Sequence, residues 1–176
     1  MHPMFPKLDQ IAFIVGDTET AVRHWARRHG VGPFFVAERL TMPNLTYRGV
    51  SSEPVVTLSI AYWGDMQVEL IEQHNDAPSA YRDFHLEHGD GFQHMACFSD
   101  DVDSDVDRCL AAGMTIQMDA LSPFDRVTRV TYLESDWPIG TVFELVQNTP
   151  VKLERFAEMK AITAAWDGKE PLRGFP

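Results

Sequence analysis

Apolar residues along this chain come in short blocks with two different spacings. Leu8-Asp9-Gln10-Ile11-Ala12-Phe13-Ile14-Val15 is a brief, β-branched run closed by Gly16-Asp17, the pattern of a strand. From Thr18 to about His29 the spacing changes. Ala21, Val22, Trp25 and Ala26 recur at helical intervals, Asp17 offers an N-cap, and Gly30 and Gly32 supply a stop. Phe34–Ala37 predicts a second strand, and Val55–Tyr62 and Met66–Ile71 predict two more joined at Trp63-Gly64-Asp65 as a hairpin. Between them, residues 39–54 read as a long loop containing Pro and Gly, of the kind that closes over a site. Residues 7–73 thus spell β-α-β-β-β.

The same order then returns. Residues 74–91 form a connector: His74-Asn75-Asp76-Ala77-Pro78 breaks the chain and Ser79–Glu87 carries one or two helical turns. Phe92–Phe98 is a strand, Asp100-Asp101 caps a helix from Val102 to Ala112, and Gly113 stops it. Strands follow near Met114–Met118, Val127–Leu133 and Thr141–Gln147, so that residues 92–148 make a second β-α-β-β-β unit. The tail, residues 149–176, has helical periodicity from Val151 to Trp166 (Leu153, Phe156, Met159, Ile162) and is expected to dock on the outside.

The repeat is visible residue by residue. A shift of 84 residues sets Gln10 on His94, Ile11 on Met95, Ala12 on Ala96, Asp17 on Asp101 and Val22 on Val106. A shift of 75 sets Val68-Glu69-Leu70-Ile71 on Phe143-Glu144-Leu145-Val146. One such unit would leave a sheet face bare, and two copies facing each other would bury much of it and let their polar strand residues converge. The expected fold class is α+β: two tandem βαβββ modules forming a curved mixed sheet around a central cleft, plus a C-terminal helix.

Composition narrows the function classes. The chain has 176 residues, 44% of them hydrophobic, enough for a sizeable core. A net charge of −11 and a pI near 4.9 oppose a nucleic-acid partner, since no basic stripe is present to displace counterions. No apolar run approaches the roughly 18 residues of a membrane span. The start, Met1-His2-Pro3-Met4-Phe5-Pro6-Lys7, lacks the layout of a signal peptide. Two cysteines, Cys97 and Cys109, are too few for a disulfide framework, and a cytoplasmic location is expected.

Chemistry enters where the strands break their own pattern. Gln10 falls on the side of its strand expected for Leu8, Ala12 and Ile14, and His94 on the side expected for Phe92, Ala96 and Phe98. Glu69 lies between Val68 and Leu70, and Glu144 between Phe143 and Leu145. Each module offers one polar residue on its first strand and one carboxylate on its last. Two buried carboxylates repel unless a cation sits between them. A divalent metal resolves this, with two Glu oxygens, a Gln carbonyl and an imidazole nitrogen as its donors. Singly, each residue has a plainer reading: a satisfied buried amide, an exposed carboxylate, a hydrogen-bonded core histidine. Their joint repeat register favours the site. Other features read as structural. His85-Leu86-Glu87-His88 is a solvated turn. The acidic run Ser99–Asp105 complements a helix N-terminus, with a calcium loop a poor second. Cys97 and Cys109 have no partner that would make them nucleophiles. Tyr47, Tyr62, Trp63, Phe84, Phe124 and Trp137 are aromatic candidates for a pocket, with packing as the default.

The repeat and these four positions resemble the vicinal oxygen chelate superfamily, which holds glyoxalase I, methylmalonyl-CoA epimerase, extradiol dioxygenases and bleomycin-resistance proteins. The resemblance spans about residues 7 to 148. It rests on Leu8-Asp9-Gln10-Ile11-Ala12, Val68-Glu69-Leu70-Ile71, Gly91-Phe92-Gln93-His94-Met95-Ala96 and Val142-Phe143-Glu144-Leu145. It implies that Gln10, Glu69, His94 and Glu144 are ligands of one divalent metal ion (Zn, Ni, Co, Mn or Mg). The Gln-Glu-His-Glu order is similar to that of animal-type glyoxalase I, while Gln93-His94-Met95-Ala96 and Leu145-Val146-Gln147 look more like the epimerase-like branch. The epimerase has a further glutamate as base on its third strand, and the best match here is Thr57. The dioxygenases hold iron with two histidines and a carboxylate, and only His94 matches one of those histidines. The implied activity is that of an isomerase or lyase that removes a proton beside a metal-bound carbonyl, with Glu144 as first candidate base and Glu69 as second. The loop from Arg39 to Pro54 would close over a small-molecule substrate or thioester, and Arg48, Arg126 and Arg129 could contribute to binding an anionic one. A non-catalytic small-molecule binder of the bleomycin-resistance type is the alternative. A homodimer is the expected assembly.

Overall fold

In the computed structural model of the chain, residues 4–5, 7–135 and 142–176 are described. Among them the elements run β1 (Gln10–Ile14), α1 (Thr18–His29), β2 (Phe34–Thr41), β3 (Thr46–Tyr47), β4 (Val50–Ser51), β5 (Val55–Trp63) and β6 (Met66–Gln73). Then come α2 (Ala80–His88), β7 (Gly91–Ser99), α3 (Val102–Ala111), β8 (Thr115–Leu121), β9 (Arg129–Glu134), β10 (Val142–Gln147), α4 (Pro150–Ala164) and β11 (Leu172–Gly174). The helix starts follow their local chemistry. Asp17, Ser79, Asp101 and Thr149 each accept from a backbone N–H three residues on, as N-caps do. Gly30, in the left-handed region at φ 65°, ends α1.

The strands form one mixed sheet in the order β11-β2-β5-β6-β1-β7-β10-β9-β8-β3-β4. The fold class is therefore the one expected, α+β with a C-terminal helix. The two βαβββ units join edge to edge through their first strands, β1 antiparallel to β7, rather than stacking face to face. Alternation then sorts the side chains. One face of the sheet (Ile14, Val56, Leu58, Ile71, Ala96, Met118, Tyr132, Val142, Val146) builds a core around the cleft. The other face packs against α1 through Val15, Val22, Phe34, Val68 and Leu70. In the second half it packs against α3 through Cys97, Val106, Cys109, Leu133 and Leu145.

Three expectations change. Residues 39–54 are no free lid. Strand β2 continues to Thr41, and the β3–β4 hairpin crosses to pair with β8, at the opposite edge of the sheet from β2. Met42, Leu45 and Tyr47 are buried in the cleft core, so apolar burial pins this segment as a strap. It is further tied by Arg48 N to the Gln117 carbonyl (2.8 Å) and by a two-point pair between Arg48 and Glu134 (2.6 and 3.0 Å). The tail helix does not dock at the periphery. Phe156, Met159 and Ile162 of α4 pack with Phe35, Ile60 and Tyr62, which carries the start of the helix to the mouth of the cleft. Phe92 leaves the face expected for it. The register slips between Ala12 and Phe13, which pair with His94 and Phe92, so Gln93 is the extra residue of a β-bulge. Phe92 consequently meets Phe13 on the α1 side, ring centroids 5.6 Å apart. Trp137 and Thr141 lie outside the described residues.

Candidate metal centre

Gln10, Glu69, His94 and Glu144 sit on four neighbouring strands in the middle of the sheet, β1, β6, β7 and β10. The registers place Glu69 in one row with Ala12 and His94, and Glu144 in the adjacent row with Ala96 and Gln10. The arrangement is a local two-fold across the β1–β7 seam, with Gln10 answering His94, Ala12 answering Ala96 and Glu69 answering Glu144. Ala12 and Ala96, both fully buried, add only a methyl group each at the centre of this face. A larger side chain would crowd the gap between Glu69 and His94 at position 12, and between Gln10 and Glu144 at position 96.

One donor atom from each of Glu69, His94 and Glu144 lies within 4.8 Å of the other two. His94 Nε2 is 3.2 Å from Glu144 Oε2 and 3.6 Å from Glu69 Oε2. The three side chains are buried (Glu69 7% exposed, His94 0%, Glu144 4%). His94 Nε2 makes no hydrogen bond. Its other nitrogen, Nδ1, is 2.6 Å from Gln93 Oε1. A carbonyl oxygen only accepts, so this contact is made by a proton on Nδ1, and in the neutral imidazole Nε2 is then the acceptor that faces the carboxylates. Gln10 is held in the same manner. Its Nε2 donates to Gln67 Oε1 (2.6 Å) and Gln67 Nε2 donates to Tyr62 Oη (3.0 Å), while Gln10 Oε1 is buried and has no partner. A buried acceptor without a donor costs on the order of 1–3 kcal/mol. Two such atoms beside paired carboxylates are what a hard or borderline divalent cation would satisfy, and the donor set fits one. Burial first, and the neighbouring Glu144 second, push the Glu69 carboxyl well above the usual carboxylate range.

The cleft above this centre is narrow and open at its mouth, with a volume of about 70 Å³. Gln10, Glu69 and Glu144 line its base. Leu58, Ile60, Val130, Val146 and the rings of Phe98, Phe124 and Phe156 form apolar walls. Tyr81 Oη lies 2.8 Å from Tyr132 Oη, and the Tyr132 ring stands edge-on to His94 at 5.1 Å. Burial pushes both phenols well above their ordinary range, so they remain protonated.

Residues 9–132 match the sequence model of the Glyoxalase/Bleomycin resistance protein/Dioxygenase superfamily. The chain belongs to that superfamily. This member has no recognisable curated relative in sequence. Solved structures share its fold at low identity. The methylmalonyl-CoA epimerase of Mycobacterium tuberculosis superposes with a TM-score of 0.61 at 16% identity, covering 88% of this chain and 95% of the other. The Streptomyces coelicolor methylmalonyl-CoA epimerase, in complex with 2-nitronate-propionyl-CoA, gives 0.60 at 20% identity, covering 84% and 97%. A hypothetical protein from Bacillus halodurans C-125 gives 0.59 at 18% identity, covering 81% and 94%.

Several side chains singled out in the sequence fall elsewhere in this superfamily member. Thr57 faces away from the cleft and contacts His74 (Oγ1 to Nε2, 2.7 Å), and its neighbours Val56 and Leu58 face inward, so β5 brings no carboxylate into the cleft. Arg48 is spent on Glu134, Arg129 on Asp103 and Asp119, and Arg126 is exposed. Among the described aromatic candidates only Phe124 lines the cleft. Tyr47 donates to Asp83, and Trp63 lies against Trp25 and His29 at the surface. The His85–His88 segment is the exposed last turn of α2, and the acidic run is the first turn of α3. Burial raises Cys97 to about 11, which leaves it a thiol donating to the Lys7 carbonyl. Gln67, Gln93, Tyr81, Tyr132 and Lys152 went unread in the sequence.

Proposed function

We propose that the protein is a metal-dependent enzyme of isomerase or lyase type, glyoxalase- or epimerase-like, that removes a proton beside the carbonyl of a small molecule or thioester. The observation that carries this reading is the convergence of two buried carboxylates on the unpartnered His94 Nε2, with the unpartnered Gln10 Oε1 on the adjacent row. Gln10 Oε1, Glu69, His94 Nε2 and Glu144 would hold one divalent ion. When bound, the ion supplies Lewis acidity that acidifies the carbon next to a substrate carbonyl and stabilises the resulting enediolate.

The chain's own groups do the rest. Gln67 and Gln93 fix the two donor side chains in orientation. Glu144 is the first candidate to take the proton, at Oε2, and Glu69 the second. Burial, with the Glu144 carboxylate beside it, favours the neutral form of Glu69 in the absence of a cation. The apolar walls exclude water, which strengthens each electrostatic contact inside. A homodimer and a cytoplasmic location, consistent with two buried unpaired cysteines, complete the reading.

Non-catalytic binding is the second reading, favoured by the breadth of apolar wall. Elemental mass spectrometry on protein purified without chelator, then after dialysis against Zn, Mn, Ni and Co, separates the two. About one ion per chain, lost in Glu69→Ala/Glu144→Ala, together with metal-dependent exchange of substrate C–H for solvent deuterium, supports the enzyme. Protein that takes up no ion under any of these conditions sinks it and leaves the binder.

A further inference from the structure

Among the described residues, Lys152 is the one cleft-lining cation that is both sealed from solvent and without a hydrogen-bond or ion-pair partner. It is 5% exposed, and its Nζ makes no hydrogen bond. Nζ lies over the Phe98 ring, 3.8 Å from its centre, and 5.6 Å from that of Phe156. The carboxylates around it are committed elsewhere. Asp125 accepts from Val127 N, Thr128 N and Thr128 Oγ1. Asp9 accepts from Phe98 N and pairs with Lys7, and Asp100 accepts from Asn148. Glu144 belongs to the proposed metal centre. Lys152 also stands in the first turn of α4, which carries no acidic residue, so the partial positive charge of that helix end adds to its own. Arg155, one turn on, lines the same cleft and lies over Phe124.

A buried ammonium without an anion is a net cost to the fold. Two glutamates balance a divalent ion, which leaves no free carboxylate in the cleft to offset an ammonium at Lys152. We propose that Lys152 is a substrate-recognition residue that pairs with a carboxylate on the substrate, opposite the carbonyl held over Glu69 and Glu144. The substrate class follows: a keto acid or similar carbon acid with a short apolar or aromatic skeleton between its carbonyl and its carboxylate. This deepens the enzymatic reading above and rests on it for the position of the carbonyl, whereas the anion contact stands on the geometry of Lys152 alone.

Calorimetric titration with two probes of matched shape, phenylacetate and phenylacetamide, tests the contact in protein as purified and after chelation. The expected result is a preference for the acid of about tenfold or more in both preparations, collapsing to near parity in Lys152→Met. The variant should also melt at or above the wild-type temperature at pH 7, because an unpartnered charge has been replaced by an apolar chain of similar length. A structural lysine would give a lower melting temperature in the variant and an unchanged preference, and that result overturns the proposal. A preference that survives Lys152→Met but vanishes on chelation puts the carboxylate on the metal, which also overturns it while leaving the enzymatic reading intact. A lysine-dependent preference in protein that takes up no metal upholds the contact and sinks only the enzymatic reading.

Discussion

Two glutamines next to the site matter as much as the four donors. Gln67 and Gln93 each tie down one first-strand donor, leaving Gln10 Oε1 and His94 Nε2 without partners. Replacing Gln93 by Leu keeps the volume and removes the acceptor that fixes the imidazole proton on Nδ1. Metal affinity should fall roughly 10–100-fold, the usual consequence of losing a group that orients a ligand, with little change in fold. Chelator competition measures this, and an unchanged affinity would mean that His94 needs no such support. Lys152 has its own signature. Burial lowers it from 10.5 to about 7, so the folded chain releases a proton that the unfolded chain keeps until pH 10.5. Below pH 7 both states are protonated and the buried charge costs most. Between pH 7 and 10.5 the unfolded state holds more protons, so this residue's contribution makes stability rise with pH. Relative to Lys152→Met, wild-type stability should therefore be poorest below pH 7 and close the gap by about pH 10.5. The span is on the order of 5 kcal/mol, readable from urea titrations. A gap that does not change with pH would show that the ammonium is solvated. At this scale the four donors were legible because a polar residue on an apolar strand face is a local anomaly. Gln93 was not. Adjacent strand residues point apart, and only the bulge turns both Gln93 and His94 inward.

Elements were legible where the pattern was periodic and local. The helices α1 and α3, with their Asp caps, and the central strands follow from spacing and turn residues. The strap and the tail helix were misjudged because their positions depend on contacts far along the chain. Residues 39–54 look like a loop, yet Met42, Leu45 and Tyr47 find apolar partners, and β3 finds the edge of β8. The tail was oriented by its apolar residues, and Leu153 on that stripe remains 49% exposed. Lys152, polar by type, is the neighbour that turns inward. The start of α4 is held by Thr149, whose Oγ1 accepts from Lys152 N (3.3 Å) and contacts Thr128 Oγ1 (2.7 Å). Thr149→Ala should cost about 1 kcal/mol as a lost N-cap. It should also weaken phenylacetate binding by loosening the turn that carries Lys152, without altering metal content. Hydrogen exchange confined to the first turn of α4 checks the mechanism, and exchange spread through the sheet would contradict it.

On the scale of the whole molecule, the metal centre is a joint between the two halves. Gln10 and Glu69 come from the first β-α-β-β-β unit and His94 and Glu144 from the second, meeting across the β1–β7 seam. A ligand that engages both halves of the folded chain, and neither in the unfolded one, stabilises the fold by mass action. At a hundredfold excess over its dissociation constant this amounts to about 2.7 kcal/mol. For a chain of this size that corresponds to a rise in melting temperature of roughly 5–10 °C. Ala12→Val and Ala96→Val offer the sharper test of the joint. Each inserts two methyl groups between a carboxylate and the donor across its row, so each should abolish the rise even though all four donors are retained. The loss should be equal for the two variants, because the local two-fold makes Ala12 and Ala96 equivalent. Scanning calorimetry with and without added metal reads the difference. A rise that persists in either variant would place the bound ion away from the seam, and a rise lost in only one would show that the two halves share the ion unequally.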